Sequence, residues 1–403
     1  MQTRLADEFR DSQEGREAEA ILRQCVHCGF CLATCPTYLA TGNELDSPRG
    51  RIYLIKQLFE GQPSGQLTQH HLDRCLGCRA CETTCPSGVS YHRLADLGRH
   101  WLESHTQRPR GERFRRAMLL RLLRRRGLFS TLTRIGRLAR PFAPGTTGAI
   151  PRRGDPRRPA PRHGERWLLL DGCVQPGLAP GINGATARVL DALGISVEPV
   201  AGCCGALAWH LNDPATGRAD MRRLVEQCQA GLDAGAAGIL STASGCGASV
   251  VEYGHLLGDD PDYAAPASRV AAAALDLSQL LARHIERLVP LLRPLADPRL
   301  VFHPPCSLQH GLRLRGTVEA LLTRLGYILL PVNDAHLCCG SAGSYSVFQP
   351  ELAQKLRADK LQQLEAGQPP VIATANIGCQ SYLQAATATP VRHWIELVAQ
   401  RLL

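Results

Sequence analysis

The feature that most constrains this chain is a cysteine run that occurs twice near its beginning. The first run reads CVHCGFCLATCP and the second reads CLGCRACETTCP, so both have the spacing C-x2-C-x2-C-x3-C-P. Two intervening residues allow a tight turn to direct successive thiolates at one centre, and the closing proline turns the chain away. The cysteines are Cys25, Cys28, Cys31 and Cys35 in the first run and Cys75, Cys78, Cys81 and Cys85 in the second.

This spacing resembles that of bacterial ferredoxins, in which the fourth cysteine of each run ligates the other cluster. The resemblance implies two [4Fe–4S] clusters with crossed ligand sets. One set is Cys25, Cys28, Cys31 and Cys85, and the other is Cys35, Cys75, Cys78 and Cys81. Zinc is the alternative, since CxxC pairs also bind zinc. A zinc site uses two pairs with a longer gap, however, so we expect the clusters.

The segment between the runs is predicted to be helical. Ser47 can cap a helix, Pro48 suits its first position, and apolar residues recur at helical spacing from Ile52 onwards. We therefore predict an α-helical two-cluster, ferredoxin-like domain over residues 1–106. His27 and His71 either tune a cluster potential or are exposed loop residues, and Arg49 and Arg51 either pair with acids, offset cluster charge or lie at the surface. The surface interpretation is preferred for all four.

Residues 107–165 are predicted to form a basic linker. From Arg108 to Arg166 there are 18 arginines and three acidic residues, whereas the formal net charge of the whole chain is +10. The first half of the linker is compatible with a short amphipathic helix, and the second half is an irregular connector rich in proline and glycine. A solvated linker, contact with an anionic membrane surface and docking on a partner all remain open, with Arg121, Arg124, Arg125 and Arg126 as candidate contacts. No nucleic-acid motif is present, and we expect no such partner.

The rest of the chain repeats itself. The set Cys173, Cys203, Cys204 and Cys246 matches the set Cys306, Cys338, Cys339 and Cys379 at nearly constant offset. Apolar runs resembling strands alternate with helical stretches, which predicts a duplicated α/β region with parallel strands over 166–290 and 291–403. Ligands in such sheets gather at the carboxyl ends of strands, where these cysteines are expected to converge. Gly205 and Gly340, which follow the paired cysteines, allow a positive φ.

The duplicated region resembles the cysteine-rich CCG domains of heterodisulfide reductase and of several flavin-linked dehydrogenase subunits. The full pattern ends in C-x2-C, but here Cys246 is followed by Gly-Ala-Ser and Cys379 by Gln-Ser-Tyr. Each half thus has four cysteines of the pattern and lacks the fifth. This departure leaves open a further iron–sulfur centre, a thiol or disulfide redox role, or a retained scaffold.

The order of parts resembles the iron–sulfur subunits of glycolate oxidase, anaerobic glycerol-3-phosphate dehydrogenase and lactate-utilisation enzymes. Both cysteine runs and the stretch HLCCGSAGSYSVFQPELA are similar to those of the glycolate oxidase iron–sulfur subunits. That resemblance implies a complex with an FAD-binding subunit and a second flavin-type subunit, in which glycolate is oxidised to glyoxylate and electrons pass to quinone. It also implies a place at the cytoplasmic face of the inner membrane.

The expected function is therefore electron transfer within a glycolate dehydrogenase (acceptor). No G-x-G-x-x-G motif follows a strand, so FAD and the substrate site are expected on the partner, and no catalytic residue is assigned here. D-lactate or glycerol-3-phosphate is the alternative substrate, and a thiol-redox enzyme of the heterodisulfide type is the alternative class. No apolar run reaches the roughly 20 residues that span a bilayer, which favours a cytoplasmic, peripheral protein.

Overall fold

The computed structural model describes residues 1–138 and 154–403. These residues divide into two units. The helical unit comprises Met1–Arg115 and His336–Lys360, and the sheet unit comprises Arg116–Ala335 and Leu361–Leu403. The four-part division predicted from the sequence follows the order of the chain, whereas the units follow packing in space, so the four-part division stays a prediction.

The N-terminal part of the helical unit is built from seven helices. Ser12 caps the second helix and Ser47 caps the fourth, each by accepting a backbone N–H at 2.9 Å, and Pro48 occupies the first position after Ser47 as predicted. The helices are α1 (Asp7–Arg10), α2 (Gln13–Gln24), α3 (Pro36–Thr41), α4 (Pro48–Phe59), α5 (Gln66–Asp73), α6 (Ala80–Thr84) and α7 (Tyr91–His105). Short 3-10 turns at Phe30–Leu32 and Glu44–Asp46 complete this part.

Helices α4 and α7 form the core of the helical unit. Ile55, Leu58 and Phe59 of α4 and Leu94 and Leu102 of α7 are buried in one apolar cluster. Burying each such side chain stabilises the fold by about 1.5–3 kcal/mol. This helix pair supports the loops that carry the two cysteine runs.

Two basic helices follow, where the sequence predicted one short helix. They are α8 (Arg110–Arg124) and α9 (Arg126–Leu138). The irregular connector expected after them lies outside the described residues up to 153, and residues 154–164 form neither helix nor strand. No helix in the described ranges is long and apolar enough to cross a membrane.

The sheet unit contains two four-stranded sheets with the same strand order. One is ordered β2-β1-β3-β4 and the other β6-β5-β7-β8, and every pairing is parallel. The strands are β1 (Glu165–Leu170), β2 (Ile195–Val200), β3 (Ile239–Ser241), β4 (Ala274–Asp276), β5 (Arg299–His303), β6 (Ile328–Leu329), β7 (Ile372–Thr374) and β8 (Val391–His393). The predicted parallel α/β region, and its duplication, are confirmed.

Helices connect these strands in each repeat. In the first repeat they are α10 (Gln175–Leu178), α11 (Gly181–Ala192), α12 (Ala206–His210), α13 (Pro214–Asp233), α14 (Ser244–Val250), α15 (Tyr253–Leu256), α16 (Ala264–Ala273), α17 (Leu277–Arg283) and α18 (Ile285–Leu288). In the second they are α19 (Thr317–Arg324), α20 (Tyr345–Phe348), α21 (Pro350–Glu365), α22 (Ile377–Gln384) and α23 (Trp394–Ala399). A 3-10 turn at Val289–Leu291 and a π-helical turn at Ser307–Gly311 complete the list.

Strand β1 is buried on both faces. Trp167 and Leu169 belong to one apolar cluster, whereas Leu168 and Leu170 belong to another. Because successive side chains of a strand point to opposite faces, a continuous apolar run is what such a central parallel strand requires.

The last strand of each sheet ends in a buried helix cap. Asp276 accepts the backbone N–H of Ser278 at 2.9 Å, and His393 Nδ1 accepts the backbone N–H of Ile395 at 3.3 Å. His393 Nε2 lies 2.9 Å from the carbonyl oxygen of Thr242 and donates to it, so the imidazole is held neutral. Burial raises the pKa of Asp276 to about 6 and lowers the pKa of His393 to about 4.

Acidification should destabilise the sheet unit through His393. The unfolded imidazole titrates near 6.5, whereas the folded one stays neutral down to about 4. The unfolded state therefore binds more protons in this window, and the free energy of unfolding should fall by about 2 kcal/mol between pH 7 and pH 5. Denaturant melts of the wild type and His393→Asn at both pH values measure this. An equal loss of stability in both proteins would contradict the assignment to His393.

Candidate iron–sulfur site

The two cysteine runs follow the same backbone path. The third and fifth residues of each run have a left-handed conformation, with φ of 61° at His27, 86° at Gly29, 63° at Gly77 and 62° at Arg79. A non-glycine residue adopts this conformation at a cost of roughly 1–2 kcal/mol. The repeated geometry turns the chain tightly between successive cysteines. At Gly29 and Gly77 the residue type itself favours the left-handed conformation. At His27 and Arg79 nothing in the sequence indicated it.

The first predicted ligand set lies around one cavity. Cys25, Cys28, Cys31 and Cys85 all line it, and so does Cys81, which is predicted to belong to the other set. The cavity is partly open, and its empty space, including open solvent, amounts to about 440 Å³. Its walls are otherwise mainly apolar, since Phe30, Pro48, Ile52 and Val89 contribute to them. The arrangement leaves Cys28 exposed and Cys25 buried.

The second predicted ligand set also converges within the helical unit. Burial raises the pKa of Cys81, and the negative charges of Cys78, Cys75 and Cys35 raise it further, so these sulfur atoms act on one another. Burial also raises the pKa of Cys75, but the positive charges of Arg51 and Arg99 outweigh it and hold that pKa below its usual value. This group is therefore buried and faces basic side chains.

Hydrogen bonds fix the beginning of the second run. Arg99 on α7 donates to the carbonyl oxygen of Leu72 at 2.9 Å and to that of Cys75 at 2.7 Å. The backbone N–H of Gly77 points at Cys75 Sγ over 3.5 Å. At the end of the first run, Cys35 Sγ lies 3.3 Å from Thr37 Oγ1. Side chains outside the runs thus hold the sulfur atoms in place.

A buried ionic network lies beside the second group, around Asp46. His71 Nδ1 and Arg74 Nη1 each contact the Asp46 carboxylate at 2.8 Å, and Arg51 Nη2 lies 3.6 Å from it. Burial raises the pKa of Asp46, but its hydrogen bond to His71 and the charges of Arg51 and Arg74 outweigh this and leave the pKa lowered. The surface interpretation was therefore wrong for Arg51 and His71, which are 1 % and 4 % exposed.

Several buried donors in this region have no hydrogen-bond acceptor within the described part of the chain. They are Arg51 Nη2, Arg74 Nε and Tyr345 Oη. An unpaired buried donor costs about 1–3 kcal/mol, so such a concentration needs an acceptor. A [4Fe–4S] cluster with four thiolate ligands is negatively charged and offers sulfur acceptors. The residues present therefore fit this group.

The four cysteines of the first repeat converge in the sheet unit. Hydrogen bonds from the thiols of Cys173 and Cys204 lower the pKa of Cys203, whereas hydrogen bonding to Cys203 raises the pKa of Cys173. The thiol of Cys204 also interacts with Cys246. Tyr253 on α15 donates to the carbonyl oxygen of Cys204 at 2.8 Å. All four sulfur atoms thus lie in one contiguous group.

A basic residue accompanies this group. Arg124 at the end of α8 contacts both carboxylate oxygens of Asp220, at 2.5 and 2.8 Å, and its charge contributes to the lowered pKa of Cys203. Gly205 has φ of 82°, and a Cβ there would lie 2.7 Å from the carbonyl oxygen of Gly217. Gly340 has φ of 87°, so both glycines take the positive φ that the sequence allowed.

The four cysteines of the second repeat are divided between the two units. Cys306 and Cys379 belong to the sheet unit, where Asn376 Nδ2 lies 3.6 Å from Cys379 Sγ. Cys338 and Cys339 belong to the helical unit and are buried. This assignment was not foreseen, because the sequence offset places all four in one repeat.

Two protein families match this chain. The 4Fe-4S dicluster domain matches residues 21–89, and the cysteine-rich domain matches residues 167–250 and 300–384. The first range contains every cysteine of the two runs, and the later ranges contain the two repeated sets. The matches support bound iron–sulfur clusters.

Similarity to individual proteins extends over the whole chain. It is 52% identical over 407 residues to the glycolate oxidase iron-sulfur subunit of Escherichia coli (strain K12), covering 100% of this chain and 99% of that protein. It is 32% identical over 410 residues to the probable glycolate oxidase iron-sulfur subunit of Bacillus subtilis (strain 168), covering 93% and 90%. The lactate utilization protein A of Geobacillus kaustophilus is 28% identical over 204 residues, which are 49% of this chain and 81% of that protein.

Proposed function

Because the chain belongs to the family of glycolate oxidase iron–sulfur subunits, we propose that it transfers electrons within a complex that oxidises glycolate to glyoxylate. The observation that carries this proposal is the convergence of the eight N-terminal cysteines into two neighbouring groups. A bound [4Fe–4S] cluster accepts and releases one electron at a time. The protein supplies the thiolates, the basic surroundings and the partial exclusion of water.

The ligand sets in this proposal are crossed between the runs. Cys85 and Cys81 line one cavity with three cysteines of the first run, and the charge of Cys35 acts on Cys81 of the second run and on Cys31 of the first. Each cluster therefore ties the two runs together.

The oxidation itself is assigned to partner subunits. This chain has no dinucleotide-binding motif, so we place FAD and the glycolate site on an FAD-binding subunit that acts with a second flavin-type subunit. Quinone is the proposed acceptor. The chain is then one subunit of a glycolate dehydrogenase (acceptor).

D-lactate is the alternative substrate, because a lactate utilization protein is similar to about half of the chain. Dye reduction by the intact complex with glycolate, D-lactate and glycerol-3-phosphate distinguishes these substrates. A preference for glycolate supports the proposal. A preference for D-lactate or glycerol-3-phosphate would change the assigned substrate but not the electron-transfer role. A chain isolated without any flavoprotein would favour the thiol-redox enzyme.

Cys78→Ser should remove one cluster and stop electron flow to quinone. The intact complex would lose about half of its N-terminal cluster iron, because a cubane needs its full thiolate set. Glycolate-dependent reduction of an artificial dye should survive at the flavin subunit, whereas quinone reduction should be lost. Iron analysis and the two assays measure this.

Cys228→Ser is the matched control, since Cys228 is a buried thiol that belongs to no predicted ligand set. It should keep both activities and all the iron. Quinone reduction at the wild-type rate in Cys78→Ser, with the iron lost, would rule out the proposed role.

We further propose that the first repeat binds an additional iron–sulfur centre. Its support is the contiguous group of Cys173, Cys203, Cys204 and Cys246, with Arg124 nearby to offset negative charge.

Cys203→Ser tests this centre. It should lower the iron content of the anaerobically purified chain while leaving both N-terminal clusters in place, because its side chain belongs to the sheet unit. Iron and acid-labile sulfide are counted, with Cys228→Ser again as control. Iron content equal to that of the wild type would contradict the additional centre.

Peripheral contact with the cytoplasmic face of the inner membrane is also proposed, through helix α9. One face of this helix is fixed to α10, since Thr133 and Arg137 donate to the carbonyl oxygen of Gly177 at 3.1 and 2.8 Å. Another face exposes Leu128, Leu132 and Ile135, which are spaced by four and three residues. Residues 113–154 contain no acidic side chain, so this face suits an anionic lipid surface.

The exposed residues of this region define the test. Arg124 is excluded because it pairs with Asp220, and the side chain of Arg126 lies outside the described residues. Leu132→Gln with Ile135→Gln should weaken co-sedimentation of the complex with phosphatidylglycerol vesicles several-fold, and so should Arg121→Gln with Arg125→Gln at low salt. The control is Ile328→Gln, another exposed isoleucine. Unchanged sedimentation of both double variants would exclude this surface.

A further inference from the structure

A segment of the second repeat belongs to the helical unit. It is His336–Lys360, which carries helix α20 and the paired cysteines of that repeat. Within the unit, Lys355 Nζ donates to the carbonyl oxygen of Ala40 at 2.6 Å. The guanidinium of Arg115 lies 5.7 Å from the ring centre of Phe348. The segment is thus attached to the domain of the two cysteine runs by specific contacts.

Tyr345 is the buried centre of this segment. It is 7 % exposed, and its hydroxyl has no hydrogen-bond partner among the described residues. Burial raises its pKa, and the charges of Arg51, Cys75 and Cys338 also act on this hydroxyl. Tyr345 therefore lies in the electrostatic surroundings of the second cysteine group.

Arg51 faces the same group from helix α4. It is 1 % exposed, and it donates through Nε to the carbonyl oxygen of His71 at 2.7 Å and through Nη1 to Thr37 at 3.1 Å. Its Nη2 makes no hydrogen bond in the described ranges. The nearest carboxylate is that of Asp46, which also pairs with Arg74. One negative charge therefore balances only part of the positive charge of the two arginines.

The first cysteine group has different surroundings. Its cavity is lined by Arg49, which pairs at 2.8 Å with Glu44. Both side chains of this pair are partly exposed, and solvent screens their charges. Tyr91 also lines this first cavity, whereas Arg51 and Tyr345 do not.

We propose that Arg51 and Tyr345 are positioning residues that raise the reduction potential of the cluster assigned to Cys35, Cys75, Cys78 and Cys81. The proposal rests on the ligand sets given under Proposed function. Reduction adds one negative charge, and a buried cation and a free O–H donor stabilise the reduced form more than the oxidised form. A segment of the cysteine-rich repeat thereby contributes to setting the potential of a ferredoxin-type cluster.

Tyr345→Phe is the decisive variant, because it removes only a hydroxyl. An EPR-monitored redox titration of the purified holo-chain should give two midpoint potentials for the N-terminal clusters. We expect one of these midpoints to fall. For Tyr345→Phe, the equilibrium constant for reduction of that cluster should decrease roughly threefold. We expect about tenfold for Arg51→Gln, which corresponds to about 59 mV for one electron. Arg51→Lys keeps the charge and should recover part of the shift.

Tyr53→Phe is the matched control, since Tyr53 also lies on α4 but is 47 % exposed. It should leave both midpoints unchanged. If Tyr345 fills only a structural role, Tyr345→Phe will leave both midpoints in place and raise the thermal stability, because a buried unpaired hydroxyl is removed. That result, or an equal shift of both midpoints, overturns the proposal.

The outcomes separate this proposal from the one on which it rests. If Arg51→Gln fails to fold, the midpoint potentials of Tyr345→Phe alone test the proposal. A wild-type chain that contains no iron and sulfide would refute the assigned clusters themselves. A wild type with two clusters and an unshifted Tyr345→Phe would refute only the role of Tyr345 and Arg51.

Discussion

The helical unit depends on one buried carboxylate, that of Asp46. The backbone carbonyl of Asp46 accepts a hydrogen bond from Thr37 at 2.8 Å, just after the first cysteine run. Its side chain binds His71 and Arg74, just before the second run. Burying an ion is costly unless it is paired, so the three basic partners are required for the fold. The same residues that satisfy Asp46 also bring the ends of the two runs together.

Positive charge near the second cysteine group follows from this arrangement. Arg51, Arg74 and Arg99 are ordered by carbonyl and carboxylate groups, and they lie where four thiolates must be stabilised. In a low-dielectric interior, each uncompensated charge has a larger effect than it has in water. The network is thus structural and electrostatic at once. It accounts for the arginines that lie beside these cysteines.

Much of the fold and part of the candidate site could be predicted from the sequence. Cysteine spacing predicted two cluster-binding runs, and the resemblance to bacterial ferredoxins implied a crossed ligand set. The nearly constant offset of the later cysteines predicted a duplication, which the two sheets of corresponding strand order confirm. Local patterns could not reveal Arg51 or His71, because a basic residue in a helix looks the same whether it is exposed or pairs with a distant carboxylate. They also gave no sign that Tyr345 belongs with the helical unit, because that association joins residues nearly 300 positions apart in the chain.

The most direct test is to mix the intact anaerobic complex with glycolate in the absence of any acceptor and to record EPR spectra during reduction. Signals of two reduced [4Fe–4S] clusters should appear at a rate no slower than turnover, and they should disappear when quinone is added. If the flavin is reduced and quinone is then turned over while both clusters stay oxidised throughout, the electron-transfer role of this chain is contradicted.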